Sequence, residues 1–483
     1  MGIDFRSKRG EKEKMVFSSL VFLCIFLPAT LALYNIAREI RIKNAVLLCA
    51  SLLFYAWGEP KWIVVMIFTS FADYVFGILI DKNRGKKASK IYLVLSIVIT
   101  LGVLAVFKYL NFFTHNLNAL PFFKVHETSI SLPIGISFYT FQAMSYVIDV
   151  YRGEAEVQKR YHKLLLYVSM FPQLIAGPIV RYTTISSEIE NRRATLEDIS
   201  AGITRFAVGL AKKVILANYL GILVDSAFAG DKISVSALGA WTGLFAYFFQ
   251  IYFDFSGYSD MAIGMGRMLG FHFEENFNYP YTARSITEFW RRWHISLGSF
   301  FRDYVYIPLG GNRKHQLRNM FVVWALTGFW HGASWNFLVW GIYYFILLAL
   351  EKYTFKEKLR ELSPAVSRIY TLFFVLIGWL IFYFEDTSKL FAAFKALLGI
   401  GTTGSVGADA VLLKNNLILF VVCIIACTPV AKIINRIKGR ISKGIYGTIA
   451  VSFITVIFQC IVIFLCVSCL VGSSYNPFLY FRF

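Results

Sequence analysis

Charge is what this sequence has little of: Asp, Glu, Lys and Arg make up 16% of its 483 residues, against about a quarter in an ordinary soluble domain. Acidic residues are the scarcer kind, 29 against 49 basic ones, which leaves a formal charge of +20. No polar block is long enough to form a soluble domain, because apolar stretches recur from near Met15 to near Leu470. One membrane domain is therefore expected over 15–483, behind a basic segment 1–14. The cations sit in short clusters between apolar runs, without a groove-reading motif or a solvated basic face, so nucleic acid is set aside as a partner. Such clusters suit the cytoplasmic flanks of membrane spans and the anionic lipids beside them.

Other absences narrow the chemistry. There is no G-x-S-x-G elbow, no G-x-x-x-x-G-K-[ST] loop and no H-E-x-x-H pair, which removes soluble-type hydrolases, P-loop transporters and zincins. The seven cysteines lie in or beside apolar runs, where the residue behaves as a small hydrophobe. Cys423 and Cys427 are one helical turn apart, but no second pair or histidine completes a metal site, and none is expected. The start superficially resembles a signal peptide, yet the run Val16–Leu33 is too long for a signal core and lacks a small-x-small cleavage site. A retained first span is the reading.

What is present is a succession of runs near the 20 apolar residues needed to cross a bilayer: 16–37, 44–58, 62–80, 91–113, 131–150, 163–180, 204–226, 236–256, 319–350, 366–384, 412–434 and 446–471. They predict an all-α polytopic protein with roughly eleven transmembrane helices. Several are short or broken, notably 44–58 and the stretch with Pro172 and Pro178, so re-entrant helices are expected among them. Basic clusters at 82–90, 352–360 and 432–443 mark the cytoplasmic side. Both flanks of the first run are basic, so charge does not orient it, and one flank is a candidate interfacial helix. The interval 276–318 mixes arginines with Trp290, Trp293, Phe300, Phe301 and Tyr304; it reads as a cytoplasmic interfacial region, with short helices around Thr287–Ser299 and a turn at Gly310–Asn312.

From Asn319 to Leu350 there is no Asp, Glu, Lys or Arg, and near the middle stands Phe-Trp-His-Gly-Ala-Ser-Trp-Asn, residues 329–336. One unbroken helix of that length would run to about 48 Å, beyond a hydrocarbon core of about 30 Å. A break near Gly332 or Ser334 is the remedy, leaving His331 at the inner end of a half-length helix. A histidine buried there marks a pathway or a site, with a neutral imidazole able to accept a proton; the alternative is a structural histidine bonded to a carbonyl or to Ser334. His294 is three residues from Arg291 and four from Trp290, which on a helix would gather an imidazole, a cation and an aromatic ring. The alternative is an interfacial histidine among snorkelling arginines. Asp254, Asp260 and the Ser256–Ser259 stretch between them are polar groups in an apolar region, and suit either a transport path or helix packing.

Five stretches carry a resemblance: Leu132–Gln142 (LPIGISFYTFQ), Phe171–Pro178 (FPQLIAGP), Phe289–His294 (FWRRWH), Arg302–Asn312 (RDYVYIPLGGN) and Gly328–Gly332 (GFWHG). They resemble the membrane-bound O-acyltransferase (MBOAT) family, in its bacterial branch of alginate O-acetyltransferase type, related to the teichoic-acid D-alanyl transfer protein. The opening Met15–Ser19 and the ending Tyr475–Phe483 look more like the alginate-acetylating type. The resemblance implies a ring of tilted helices around a thin centre pierced by a tunnel, in a bacterial inner membrane. It implies catalytic roles for His331 and His294, acetyl-CoA as donor substrate with no cofactor, and O-acetylation of an exopolysaccharide or wall polymer. His331 is then the expected general base, and His294 the group that orients the donor carbonyl or steadies charge on its oxygen; an acyl-histidine intermediate stays open. Arg291 and Arg292 are expected to attract the CoA phosphates, and Trp290, Trp330, Ser334 and Asn336 to contact substrate. An SGNH-type esterase is the expected extracytoplasmic partner. D-Alanyl transfer from a carrier protein, or a non-enzymatic transporter, are the rival readings.

Overall fold

Where lipid replaces water, backbone groups must find partners within the chain, and every regular element among the described residues is helical. A computed structural model describes residues 15–175, 177–230, 233–472 and 479. The basic start 1–14 and the ending Tyr475–Phe483, Leu479 excepted, lie outside them.

Seven helices among the described residues are long and apolar enough to span a membrane: Ile40–Gly58, Ile63–Lys82, Lys87–Asn118, Leu196–Phe228, Trp335–Phe355, Pro364–Tyr383 and Ile445–Val471. The pair Val406–Asn415 and Leu417–Ala426, bent by 52°, makes an eighth if it is one span. The remaining apolar runs are helical too. Phe22–Ile36, Ile136–Arg152 and Gln316–His331 are shorter, and the 32-residue Ala237–Met268 carries Gln250, Asp254 and Asp260 and is buried along most of its length. Pro172 and Pro178 interrupt their stretch as expected, leaving the short helices Tyr161–Ser169 and Phe171–Leu174.

Ala237–Met268 is the central post. Its companion, Leu196–Phe228, approaches through two glycine pairs a heptad apart: a Cβ on Gly209 would lie 2.5 Å from Gly257 O, and one on Gly264 would lie 2.6 Å from Gly202 O. Small residues let two membrane helices meet backbone to backbone. The same pair settles what Asp254 and Asp260 do. Lys213 Nζ lies 2.6 Å from Asp254 Oδ1, and Asp260 binds Arg205 at 2.7 Å and Lys212 at 2.6 Å. Both carboxylates are neutralised by cations of the neighbouring helix, which favours the packing role over a solute path. Breaking one such buried pair typically costs about 3–5 kcal/mol.

The uncharged run 319–350 departs from expectation in one respect. The helix does stop at His331 and resume at Trp335, but the chain doubles back instead of continuing in one direction. Cβ atoms on Gly328 and Gly341 would lie 2.2 Å from Phe337 O and 2.3 Å from Trp324 O respectively, and Tyr353 Oη donates to Gln316 Oε1 across the far ends at 3.1 Å. The 319–350 segment is thus an antiparallel hairpin, not a single broken helix, with His331 at its tip. At ~1.5 Å per residue each arm is about 24 Å long, so the length mismatch is relieved by folding back. Gly341→Ala is expected to destabilise the protein by roughly 1–3 kcal/mol through overpacking against backbone. Thermal unfolding in detergent checks this, with Gly298→Ala, whose Cβ would meet nothing within 4 Å, as the neutral control.

Candidate active site

His331 is the last residue of its helix and is 6% exposed. Its ring is boxed by Trp330, Trp340 and Phe382, with centroids at 5.0, 5.2 and 5.2 Å. The imidazole lines a narrow pocket with Ile251, Asp254, Phe255, Trp293, Trp340, Trp379, Phe382 and Leu479. The accessible volume, about 10 Å³, has room for about one water molecule. A larger cavity of about 240 Å³ shares Leu479 with it and is walled by Phe228, Tyr247, Tyr383, Phe384, Glu385, Asp386 and Lys389.

His294 comes within reach of His331, ring centroids 6.5 Å apart, with Trp330 touching both. Short helices do stand around Thr287–Ser299, as expected, but His294 belongs to neither of them. Helices Ile286–Arg292 and Ile295–Phe301 are separate, and His294 stands at the corner between them in the left-handed region, φ +46°. That conformation is uncommon for a non-glycine residue and is held by surrounding structure. The holder is Asn276: its carbonyl accepts from Ile295 N–H at 3.0 Å, and its amide oxygen accepts from Ser296 N–H at 3.2 Å and Ser296 Oγ at 2.9 Å. A buried carboxylate, Glu351 at the end of the hairpin, accepts from Ile286 N–H at 2.6 Å and Thr287 N–H at 2.9 Å. It thereby caps the helix leading to His294, where an anion is favoured.

Asn276 also fixes the histidine's proton. A backbone N–H can only donate, so the atom that faces Ser296 N is the amide oxygen. The same oxygen lies 3.2 Å from His294 Nδ1, so Nδ1 carries the hydrogen. Burial pushes the imidazole down to about 3, so the ring is neutral and Nε2 keeps a lone pair. Nε2 is buried and, among the described residues, has no hydrogen-bond partner. A neutral His294 held this way accepts a hydrogen bond at Nε2 and has no N–H left to offer a carbonyl oxygen, contrary to the donor role expected for it.

The other expected residues divide. Trp330 joins the site. Trp290 stands behind it, edge-on to Trp324, Trp340 and Tyr344. Asn336 turns away, its amide donating toward Phe382 O at 3.3 Å, and so anchors the end of the helix Pro364–Tyr383. Ser334 is half-buried at the hairpin tip; among the described residues no hydrogen bond joins it to His331. Arg292 is engaged by Glu288 at 2.6 Å and Thr282 Oγ1 at 3.2 Å, whereas Arg291 is exposed. Among the described residues no three His, Cys, Asp or Glu side chains converge as a metal site would require.

Two contributors escaped sequence reasoning. Trp340 lies in the uncharged run, one turn from Asn336, and only the fold-back brings it against His331. Its indole N–H is buried and, among the described residues, has no acceptor. Lys108 donates to the carbonyls of Trp330 at 2.5 Å and His331 at 3.3 Å; a lone lysine inside the apolar run 91–113 was the available signal.

A helical membrane protein that buries two imidazoles, one at a hairpin tip inside a pocket, has the equipment of an acid–base transferase working within the bilayer. Residues 159–386 match the model of the membrane-bound O-acyltransferase family. The chain is 42% identical over 399 residues to the probable alginate O-acetylase AlgI of Pseudomonas aeruginosa, covering 80% of this chain and 76% of that one. With the protein of that name from Pseudomonas putida it is 37% identical, over 97% and 100% of the two chains. With the peptidoglycan O-acetyltransferase of Helicobacter pylori it is 30% identical, over 97% and 98%. The protein belongs to the membrane-bound O-acyltransferase family and is an O-acyltransferase.

Asn276→Ala would release the His294 corner and its tautomer. The expected result is a loss of acyl transfer of about tenfold or more, measured as initial rates on purified protein, with Asn276→Asp, which keeps an acceptor facing Nδ1, retaining more activity.

Proposed function

We propose that this protein moves an acetyl group from cytoplasmic acetyl-CoA, through a bacterial inner membrane, for O-acetylation of an extracytoplasmic polysaccharide, alginate first among the candidates. The observation that carries the reading is the buried imidazole of His331 at the tip of a hairpin, lining a narrow pocket with room for about one water molecule. The names of the relatives that match over most of the chain supply the acetyl group and the polymer. The donor reaches the pocket from the interfacial region 276–318, with exposed Arg291 the better candidate for the CoA phosphates because Glu288 already holds Arg292. The acceptor hydroxyl arrives from the opposite face through the 240 Å³ cavity, presented by an SGNH-type partner that passes the acetyl group on to the polymer. Together these entrances make the tunnel that the family resemblance implies.

In this reading His331 takes the proton from the acceptor hydroxyl as its oxygen attacks the thioester carbon. The C–O bond forms, the C–S bond breaks, and the proton passes to the departing CoA thiolate. Charge gathers on the carbonyl oxygen in between, and the partnerless indole N–H of Trp340 is the neutral donor on the pocket wall suited to meet it. His294 takes the accepting role that its tautomer allows, holding a hydroxyl or the His331 ring in register.

His331→Ala is expected to abolish release of CoA from radiolabelled acetyl-CoA in the presence of the partner; a folded variant that still acetylates refutes the assignment. Trp340→Phe keeps the ring and loses the N–H, and should lower kcat by about 10²–10³ with KM little changed. Trp379→Phe is the control, since that indole already donates to Tyr281 Oη at 3.2 Å. Arg291→Ala should raise the KM for acetyl-CoA and leave kcat in place.

A further inference from the structure

The helix Gln316–His331 ends inside the protein, and the last carbonyls of any helix lack intrahelical donors. Here the helix Lys87–Leu104 continues into a π-turn, Ala105–Tyr109, whose last two residues supply what is missing. Tyr109 Oη donates to Phe329 O at 2.8 Å. Lys108 Nζ donates to Trp330 O at 2.5 Å, His331 O at 3.3 Å and Ser137 Oγ at 3.2 Å. The terminal three carbonyls of the histidine helix are therefore all held by two adjacent side chains. Widening one turn into a π-bulge is a common way to aim side chains at a functional site.

An ammonium has three hydrogens, and these three acceptors use all of them, so Lys108 has none left to offer a substrate. No Asp or Glu among the described residues pairs with it. Its compensation comes from the negative end of the helix dipole and from the face of Trp330, whose ring centre is 5.8 Å from Nζ. The same tryptophan touches both imidazoles. The ring of Tyr109 stacks on Phe329 at 4.2 Å, one residue before Trp330. The clamp therefore fixes the rotation of the last helical turn, and with it the direction in which His331 points.

We propose that Lys108 is a positioning residue of the acyl-transfer site: it locks the end of the histidine helix so that the His331 imidazole faces the pocket. This rests on His331 being the base. Lys108→Met should lower kcat at least tenfold while the KM for acetyl-CoA stays within about twofold, because the donor's contacts lie elsewhere. Lys108→Gln, which keeps a donor without the charge, should recover part of the loss, and Tyr109→Phe should show a smaller loss of the same kind. Diethyl pyrocarbonate labelling followed by mass spectrometry gives a readout that a general packing role would not move. His331 should be modified faster in Lys108→Met while the exposed histidines are unaltered.

The proposal is overturned if Lys108→Met keeps kcat within about twofold of the parent while His331→Ala is dead, or if kcat and stability fall with His331 labelling unchanged. If Lys108→Met does not fold, Lys108→Gln carries the same test by the same two readouts. Activity in His331→Ala would instead remove the reading beneath it.

Discussion

The structure depends on ending a helix where no water is available to finish it. A buried carbonyl left unpaired costs about 1–3 kcal/mol, so three of them at Phe329, Trp330 and His331 would consume a good share of a domain's whole margin of about 5–15 kcal/mol. Everything local to the site follows from how that cost is avoided. Gly332 permits the turn, and a Cβ there would fall 2.1 Å from the Phe337 ring. Gly328 and Gly341 allow the two arms to touch, and Lys108 and Tyr109 of the π-turn bind the carbonyls at the buried end. His331 is where it is because the helix terminates there, and the termination is possible because these residues surround it.

The second histidine is governed by the same economy of polar groups. Its corner has a left-handed backbone, so the energy must come from neighbours, and Asn276 provides it by taking hydrogen bonds from Ile295, Ser296 and the imidazole together. Glu351 ties the start of that segment to the end of the hairpin. The two histidines thus belong to segments tied together by hydrogen bonds to backbone, and Trp330 packs against both rings, which stand 6.5 Å apart. The two carboxylates of the central helix, Asp254 and Asp260, are taken up by cations of its neighbour, while among the described residues His294 Nε2, His331 Nδ1 and Trp340 Nε1 are buried without a hydrogen-bond partner.

The membrane class, the helical fold, the family and the break after His331 were all legible in the letters. Each rests on a signal that survives without coordinates: scarce charge, runs of bilayer length, quotable motifs, and an uncharged stretch too long for one crossing. What stayed hidden was direction. Nothing in residues 319–350 distinguishes a broken helix from one that folds back, because both need a break and both are apolar throughout; the difference lies in the glycine contacts between the arms. The same is true of His294. Helical spacing places it beside Arg291 and Trp290, yet its backbone leaves the helix to be held by Asn276, 18 residues earlier in the chain, a partner that no helical periodicity pairs with it. Trp290 and Asn336, expected to contact substrate, are not among the residues that line the pocket.

The bonding directions left open around the pocket also discriminate among chemistries. A solute path needs several acceptors or donors converging to replace a hydration shell, and a metal needs three or four ligands of matching kind. What converges here is a single buried imidazole with another nearby whose lone pair is kept free by Asn276, and an indole that can only donate. Under the proposed function, one group to take a proton and one to meet a developing negative charge, side by side in a narrow pocket, are the minimal set for acyl transfer. In the proposed reading neither imidazole needs an ion-pair partner of its own for that task.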